Sequence, residues 1–187
     1  KLINDAQKEY DLTYPNDGWV ELDPLDVIKT VKETVNNVLK KHKNIEACGI
    51  TNQRETTIVW SRTSGIPIYS AIVWQDRRTH EYCNKLKSEG YEDLIKEKTG
   101  LLLDPYFSAT KIKWILDNVD GAKSMAEKGD LLFGTIDSYL IYVLSKEKNH
   151  LTDVTNASRT LLFNIKTMEW DNDLLELFNI PKSMMPK

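Results

Sequence analysis

The sequence lacks the patterns that mark several large protein classes. Its eight glycines form neither Gly-x-x-x-x-Gly-Lys-Ser/Thr nor Gly-x-Gly-x-x-Gly, which excludes a P-loop domain and a protein-kinase domain. No Gly-x-Ser-x-Gly is present, which disfavours an α/β hydrolase. Apolar runs such as 101–103 and 161–163, and even the six residues 139–144, are far too short to cross a bilayer.

Cysteine and histidine are also scarce. The two cysteines, Cys48 and Cys83, do not form a Cys-x-x-Cys pair, and the three histidines are scattered. Neither pattern has the spacing of a metal site, so we expect the chain to provide no metal ligands. We expect both thiols to be buried and free, as in a protein of a reducing compartment such as the cytoplasm.

The chain carries no excess of positive charge. Its formal net charge is −3 and its pI is about 5.7, which argues against a nucleic-acid partner or an anionic membrane surface. The hydrophobic share of 41% and the charged share of 28% are ordinary for a folded globular domain.

Strand-like and helix-like segments alternate along the chain, which indicates an α/β fold. Asp23 and Pro24 predict the start of an amphipathic helix. Strands are predicted at 2–10, 45–51, 56–60, 66–74, 131–134 and 161–165, and helices at 24–41, 76–88 with Asp76 as cap, 92–99, from Ser108 onward, 135–145 and 173–178.

Arg54 and Glu55 are adjacent charges in a short connection between two predicted strands. One interpretation is a solvated turn. The other is recognition of a polyol, because a guanidinium donates and a carboxylate accepts, so the two together can hold neighbouring hydroxyls. The residues alone leave both interpretations open.

Two aromatic residues could belong to the same site. Trp74 ends a predicted strand, and Tyr106 lies just before a helix cap. Each could simply pack in the core or at its rim. Alternatively, Trp74 could form an apolar wall for a carbon backbone, with Tyr106 supplying a rigid hydroxyl.

The run Tyr106–Asn118 carries a specific resemblance. It matches the first signature of the FGGY carbohydrate kinases at every specified position. Over nearly all 187 residues the sequence resembles this family, and within it the members that act on glycerol. Further segments that carry the resemblance are 18–24, 49–60, 72–78, 104–118, 133–137 and 152–160.

The resemblance implies a site and a reaction. Arg54, Glu55 and Tyr106 would bind the hydroxyls of glycerol, and Trp74 would pack against its carbons. ATP would phosphorylate glycerol to glycerol 3-phosphate and leave as ADP, with Mg²⁺ neutralising the phosphates. The resemblance also implies an actin-like, ribonuclease-H-like α/β domain with a mixed sheet flanked by helices, a homo-oligomer (dimer or tetramer) and a cytoplasmic location.

Two parts that the resemblance requires do not occur in the sequence. The Asp-x-Gly-Thr turn that holds ATP phosphates is missing, as is the Gly-Asp-Gln-like segment with the catalytic Asp. We therefore expect residues 1–187 to be a substrate-binding N-terminal domain without its first strands and without the C-terminal ATP-binding domain. No catalytic or cofactor-binding residue is expected in it, and alone it should be inactive.

Two alternatives stay open. The parent protein could be an FGGY kinase for another sugar or polyol, such as a pentulose. The chain could also be a polyol-binding module without catalytic activity.

Overall fold

The computed structural model describes all 187 residues. The strands are β1 (Glu21–Leu22), β2 (Ile58–Ser61), β3 (Ala71–Ile72), β4 (Leu131–Gly134), β5 (Phe163–Asn164) and β6 (Glu169–Trp170). The helices are α1 (Pro24–Leu39), α2 (His80–Ser88), α3 (Glu92–Thr99), α4 (Ser108–Asn118), α5 (Ala122–Glu127), α6 (Ile136–Leu144), α7 (Val154–Ala157) and α8 (Asn172–Leu177), with a 3₁₀ turn at Lys182–Met184. None of these helices has the length and apolarity that crossing a membrane requires.

The strands form antiparallel pairs. β1 pairs with β3, β2 with β4, and β5 with β6. A bridge between Thr57 and Ile72 joins the first two pairs, so that four strands lie in the order β1-β3-β2-β4. The pairing between Thr57 and Ile72 brings together two of the segments that carry the candidate site.

Helices cover both faces of these four strands. Successive strand residues point to opposite faces, and in β2 Ile58 and Trp60 lie in one core cluster while Val59 lies in the other. The smaller cluster also contains side chains of α1 and α6. The larger contains side chains of α2 to α5 and α8. The α/β class predicted from the sequence is confirmed.

Periodicity and capping predicted most of the helices well. α1 begins where expected, and the Asp23 side chain accepts a hydrogen bond of 2.8 Å from the Leu25 amide. α2 ends at Ser88 as predicted, and Gly90 follows with a φ of +86°, a conformation that glycine adopts without a Cβ penalty.

Two predicted strands are wrong. Residues 2–10 and 45–51 have no regular secondary structure, and none of their backbone groups pairs with another backbone group of the chain. A strand needs a neighbour that satisfies its amides and carbonyls, and these residues have none within the chain. Leu2 and Ile3 are largely exposed, and Cys48 is exposed as well, so only Cys83 is a buried free thiol.

The segment around residues 66–76 also differs from the prediction. Of the strand predicted at 66–74, only Ala71–Ile72 forms a regular pair. Asp76 does not cap α2. Its carboxylate is buried and accepts hydrogen bonds from the Val20 amide (2.6 Å) and from Arg78. These partners hold Asp76 in the loop, and α2 starts four residues later.

A buried guanidinium connects β1 to this loop. The Arg78 side chain is fully buried and contacts Oε1 of Glu21 at 2.7 Å and Oδ2 of Asp76 at 2.8 Å. Its central carbon lies 3.8 Å from the ring centroid of Trp19 and 4.5 Å from that of Trp114. Both carboxylates are buried as well, so two anionic groups with little access to water share one cation.

We predict that Arg78→Met lowers the free energy of unfolding by about 3–5 kcal/mol, because it leaves two buried carboxylates without a counter-charge. Urea unfolding of the purified protein measures the change. Arg77→Met is the matched control. Its half-exposed ion pair with Asp104 is worth about 0–1 kcal/mol. Equal effects of the two substitutions would show that the Arg78 cluster does not stabilise the fold.

Candidate functional site

The strand register brings Glu55 and Trp74 together. Thr57 lies opposite Ile72 in an antiparallel bridge, so the turn with Glu55 and the turn with Trp74 follow from the same end of this pairing. The Trp74 amide also donates a 3.3 Å hydrogen bond to the hydroxyl of Thr56. Two turns that are nineteen positions apart in the sequence thus lie side by side.

Tyr106 joins them from a third segment. Its ring centroid lies 5.5 Å from that of Trp74, with a tilt of 60° between the planes. Ser108, at the start of α4, donates a 3.3 Å hydrogen bond to the carbonyl of Glu55. Glu55, Trp74 and Tyr106, three of the four residues predicted from the sequence, therefore lie close together.

The Glu55 side chain is held by a residue that the sequence analysis did not single out. This side chain is only 5% exposed, and its Oε1 accepts a 2.7 Å hydrogen bond from Nε of Arg159. The guanidinium of Arg159 lies 5.0 Å from the ring centroid of Phe107 and 5.7 Å from that of Tyr106. Arg159 therefore contacts both the Glu55 carboxylate and the aromatic rings of the candidate site.

Arg54 does not take part in this cluster. It is exposed, and its side chain forms no ion pair or hydrogen bond within the chain. The turn that carries it places Glu55 inward and Arg54 outward. The carboxylate and the guanidinium that pair here are thus those of Glu55 and Arg159, and not those of two neighbours in sequence.

A buried lysine holds the backbone of the Tyr106 segment. The Lys111 ammonium is fully buried and donates a 2.6 Å hydrogen bond to the carbonyl of Tyr106. Burial lowers the pKa of Lys111 to about 7, although Asp76, Glu55 and Asp104 act in the opposite direction. The helical spacing of Ser108, Lys111 and Ile115 already placed Lys111 on the buried face of α4, and the sequence analysis missed this signal.

A second polar cluster fixes the turn that carries Glu55. The buried carboxylate of Asp137, in the first turn of α6, accepts hydrogen bonds from Thr152 (2.8 Å), Asn52 (3.3 Å) and Thr135. Asn52 also donates a 3.0 Å hydrogen bond to Oδ1 of Asn156 in α7. Segments 133–137 and 152–160, noted in the sequence without any role, thus lie directly against the candidate site.

The candidate residues lie outside five cavities of this chain. These cavities have volumes of about 420–640 Å³, and their walls include none of Arg54, Glu55, Trp74 and Tyr106. No group of three or more His, Cys, Asp or Glu side chains is arranged to hold a metal ion. The arrangement offers an acceptor carboxylate, a phenol and an aromatic wall, which suit a small molecule with hydroxyls on a carbon chain.

Comparison with known proteins gives a consistent family. Residues 1–187 match the model of the N-terminal domain of the FGGY family of carbohydrate kinases. A curated glycerol kinase of Clostridium botulinum is 56% identical over 191 aligned positions, which cover all of this chain and 38% of that protein. A glycerol kinase of Oceanobacillus iheyensis is 55% identical with the same coverage. The chain thus spans under two fifths of the length of the curated relatives that it matches.

Solved structures agree with the sequence comparison. The Plasmodium falciparum glycerol kinase crystallised with ADP superimposes with a TM-score of 0.93 at 38% identity, over 96% of this chain and 37% of that one. A gluconate kinase from Lactobacillus acidophilus gives a TM-score of 0.83 at 25% identity, over 96% of this chain and 35% of that one. The expected actin-like, ribonuclease-H-like fold is confirmed by these relatives.

We predict a pH-dependent contribution of Lys111 to stability. The unfolded chain keeps this lysine protonated up to about pH 10.5, whereas the folded chain releases the proton above about pH 7. The cost of burying the cation is therefore fully present below pH 7 and is relieved as the pH rises from 7 toward 10.5, by about 1.4 kcal/mol per pH unit. Urea unfolding across this range should show the wild type gaining stability relative to Lys111→Met.

The control for this experiment is Lys113→Met, on the more exposed side of the same helix. This variant keeps Lys111 and is expected to follow the pH trend of the wild type. A constant difference in stability between wild type and Lys111→Met from pH 7 to 10 would contradict the prediction.

Proposed function

Because the chain belongs to the FGGY family of carbohydrate kinases, we propose that the longer protein carrying it transfers a phosphoryl group from ATP to a terminal hydroxyl of glycerol. Residues 1–187 would be its substrate-binding N-terminal domain. The observation that carries this proposal is the meeting of Glu55, Trp74 and Tyr106 in one cluster. Identity of 53–56% to curated glycerol kinases over the whole chain supports glycerol as the substrate.

Each residue has a role in this proposal that follows from its chemistry. Glu55 accepts a hydrogen bond from a hydroxyl, and Tyr106 exchanges one with a second hydroxyl. Trp74 covers the carbons of the polyol with an apolar face. Arg54 donates to a hydroxyl only if its exposed side chain turns inward when the substrate enters, because no contact holds it at the site now.

The chain's own residues account for binding and not for phosphoryl transfer. They include no group of three or more His, Cys, Asp or Glu side chains that could hold an ion by itself, and we assign no step of the reaction to Mg²⁺. ATP, ADP and Mg²⁺ enter the proposal as parts of the family's reaction, which depends mainly on positioning and electrostatic stabilisation. A homo-oligomer and a cytoplasmic location stay predictions for the longer protein.

A kinase for another sugar is the second candidate. The Lactobacillus gluconate kinase shares the fold at a TM-score of 0.83, so the architecture alone does not separate the substrates. Its identity of 25% is less than half of that shared with the curated glycerol kinases, which favours glycerol. Steady-state rates of the full-length protein with glycerol, gluconate and xylulose decide between them, and preference for a sugar would overturn our choice.

We predict that Glu55→Gln in the full-length protein lowers kcat/KM for glycerol about 10- to 100-fold. An amide of the same size replaces a charge-assisted acceptor, at a cost of about 1.5–3 kcal/mol. Steady-state kinetics measures the loss, and circular dichroism checks the fold. Glu97→Gln is the matched control at an exposed ion pair. A change below about twofold at Glu55 would remove this residue from the site.

We predict that Trp74→Ala raises KM for glycerol and narrows the difference in kcat/KM between glycerol and larger polyols. The ring shapes the site and transfers no proton, so its loss weakens binding first. A panel of polyols of three to five carbons, assayed with the full-length protein, measures both effects. A fall in kcat alone, with KM and selectivity unchanged, would show that Trp74 does not act as a wall.

A further inference from the structure

The two carboxylate oxygens of Glu55 have different surroundings. Oε1 accepts the hydrogen bond from Arg159, and no hydrogen bond within the chain reaches Oε2. The side chain as a whole is only 5% exposed, so few rotations are open to it. One oxygen is thus anchored to the protein, while the other stays available to accept from a ligand.

Arg159 is the only cation that contacts this buried carboxylate. A nearly buried carboxylate without a partner is unfavourable, because water no longer solvates its charge. The neighbouring Arg54 points outward and makes no such contact. The partner of Glu55 therefore comes from a segment 104 residues further along the chain.

The position of Arg159 does not depend on this ion pair alone. Its guanidinium packs over the rings of Phe107 and Tyr106. The short helix before it is tied to the Glu55 turn by the contact between Asn52 and Asn156. Removing the guanidinium should therefore free the Glu55 carboxylate while the two segments stay attached to each other.

We propose that Arg159 is a positioning residue for substrate binding, which holds Oε1 of Glu55 so that Oε2 is presented to a hydroxyl of the polyol. The inference rests on the proposed function, in which Glu55 binds such a hydroxyl. Arg159 acts through Glu55 and through the aromatic rings, and the structure gives it no part in the transfer of a proton or a phosphoryl group. Its loss should affect the KM for the polyol more than kcat.

The test uses the full-length protein with Arg159→Met, Arg159→Lys, Glu55→Gln and the double variant Glu55→Gln/Arg159→Met. We expect Arg159→Met to lower kcat/KM for glycerol about 10- to 100-fold, mainly through KM. Lysine keeps the charge but lacks the planar fork, so Arg159→Lys should recover part of this loss. The double variant should lose little more than Glu55→Gln alone, because both substitutions affect one interaction.

Arg62→Met is the control for a purely structural effect. Arg62 also donates hydrogen bonds to the protein, to the carbonyls of Gly129 and Ser183, but it does not contact Glu55. Its removal should lower the melting temperature without raising the KM for glycerol. A similar KM for Arg62→Met and Arg159→Met would assign Arg159 a structural role only.

The outcomes separate this inference from the function on which it rests. If Glu55→Gln impairs glycerol use and Arg159→Met does not, the positioning role is wrong and the polyol site stands. If Glu55→Gln has no effect, the proposed site is wrong, and the role of Arg159 falls with it. Losses in the double variant that equal the product of the two single losses would show that Arg159 acts independently of Glu55. If Arg159→Met does not fold, Arg159→Lys and the double variant Glu55→Gln/Arg159→Lys are compared with Glu55→Gln in the same way.

Discussion

The antiparallel register between Thr57 and Ile72 is the constraint on which the rest of the structure depends. It joins two strand pairs into one layer. Successive side chains of these strands point to opposite faces, so the apolar residues are divided between two core clusters, each covered by helices. The register also brings the turn with Glu55 next to the turn with Trp74. A shift of this register by one residue would turn the side chains of β2 to the opposite face of the layer, so the same bridge affects both the core and the candidate site.

The helices could be predicted from the sequence because their signals are local. In α1 the cap, the proline and the apolar spacing all lie within the segment that they describe, and the predicted start was confirmed. The strands at 2–10 and 45–51 were wrong for the opposite reason. Apolar and β-branched residues favour an extended chain, but a strand also needs a paired neighbour, and the composition of the segment does not provide one.

The candidate site could be predicted in part. The resemblance of the sequence marked Glu55, Trp74 and Tyr106, and the structure brings these three side chains together. The resemblance did not reveal that the Arg54 side chain points away from the candidate site, because the local backbone of a turn decides where adjacent side chains point. Arg159 was also missed, since its contact with Glu55 joins residues 104 positions apart and no periodic pattern links them. The helical spacing of Lys111 indicated the buried face of α4, but a lysine side chain is charged and is seldom buried, so this position was not expected.

The separate origins of the groups around Glu55 have a stereochemical consequence. The acceptor oxygen, the indole wall and the phenol come from three different segments, so the sides of the cluster present different chemical groups. Under the proposed function, the two ends of glycerol would meet different neighbours in this cluster. The two primary hydroxyls, which are equivalent in solution, would then be distinguishable, and a phosphoryl donor approaching from one side would reach only one of them.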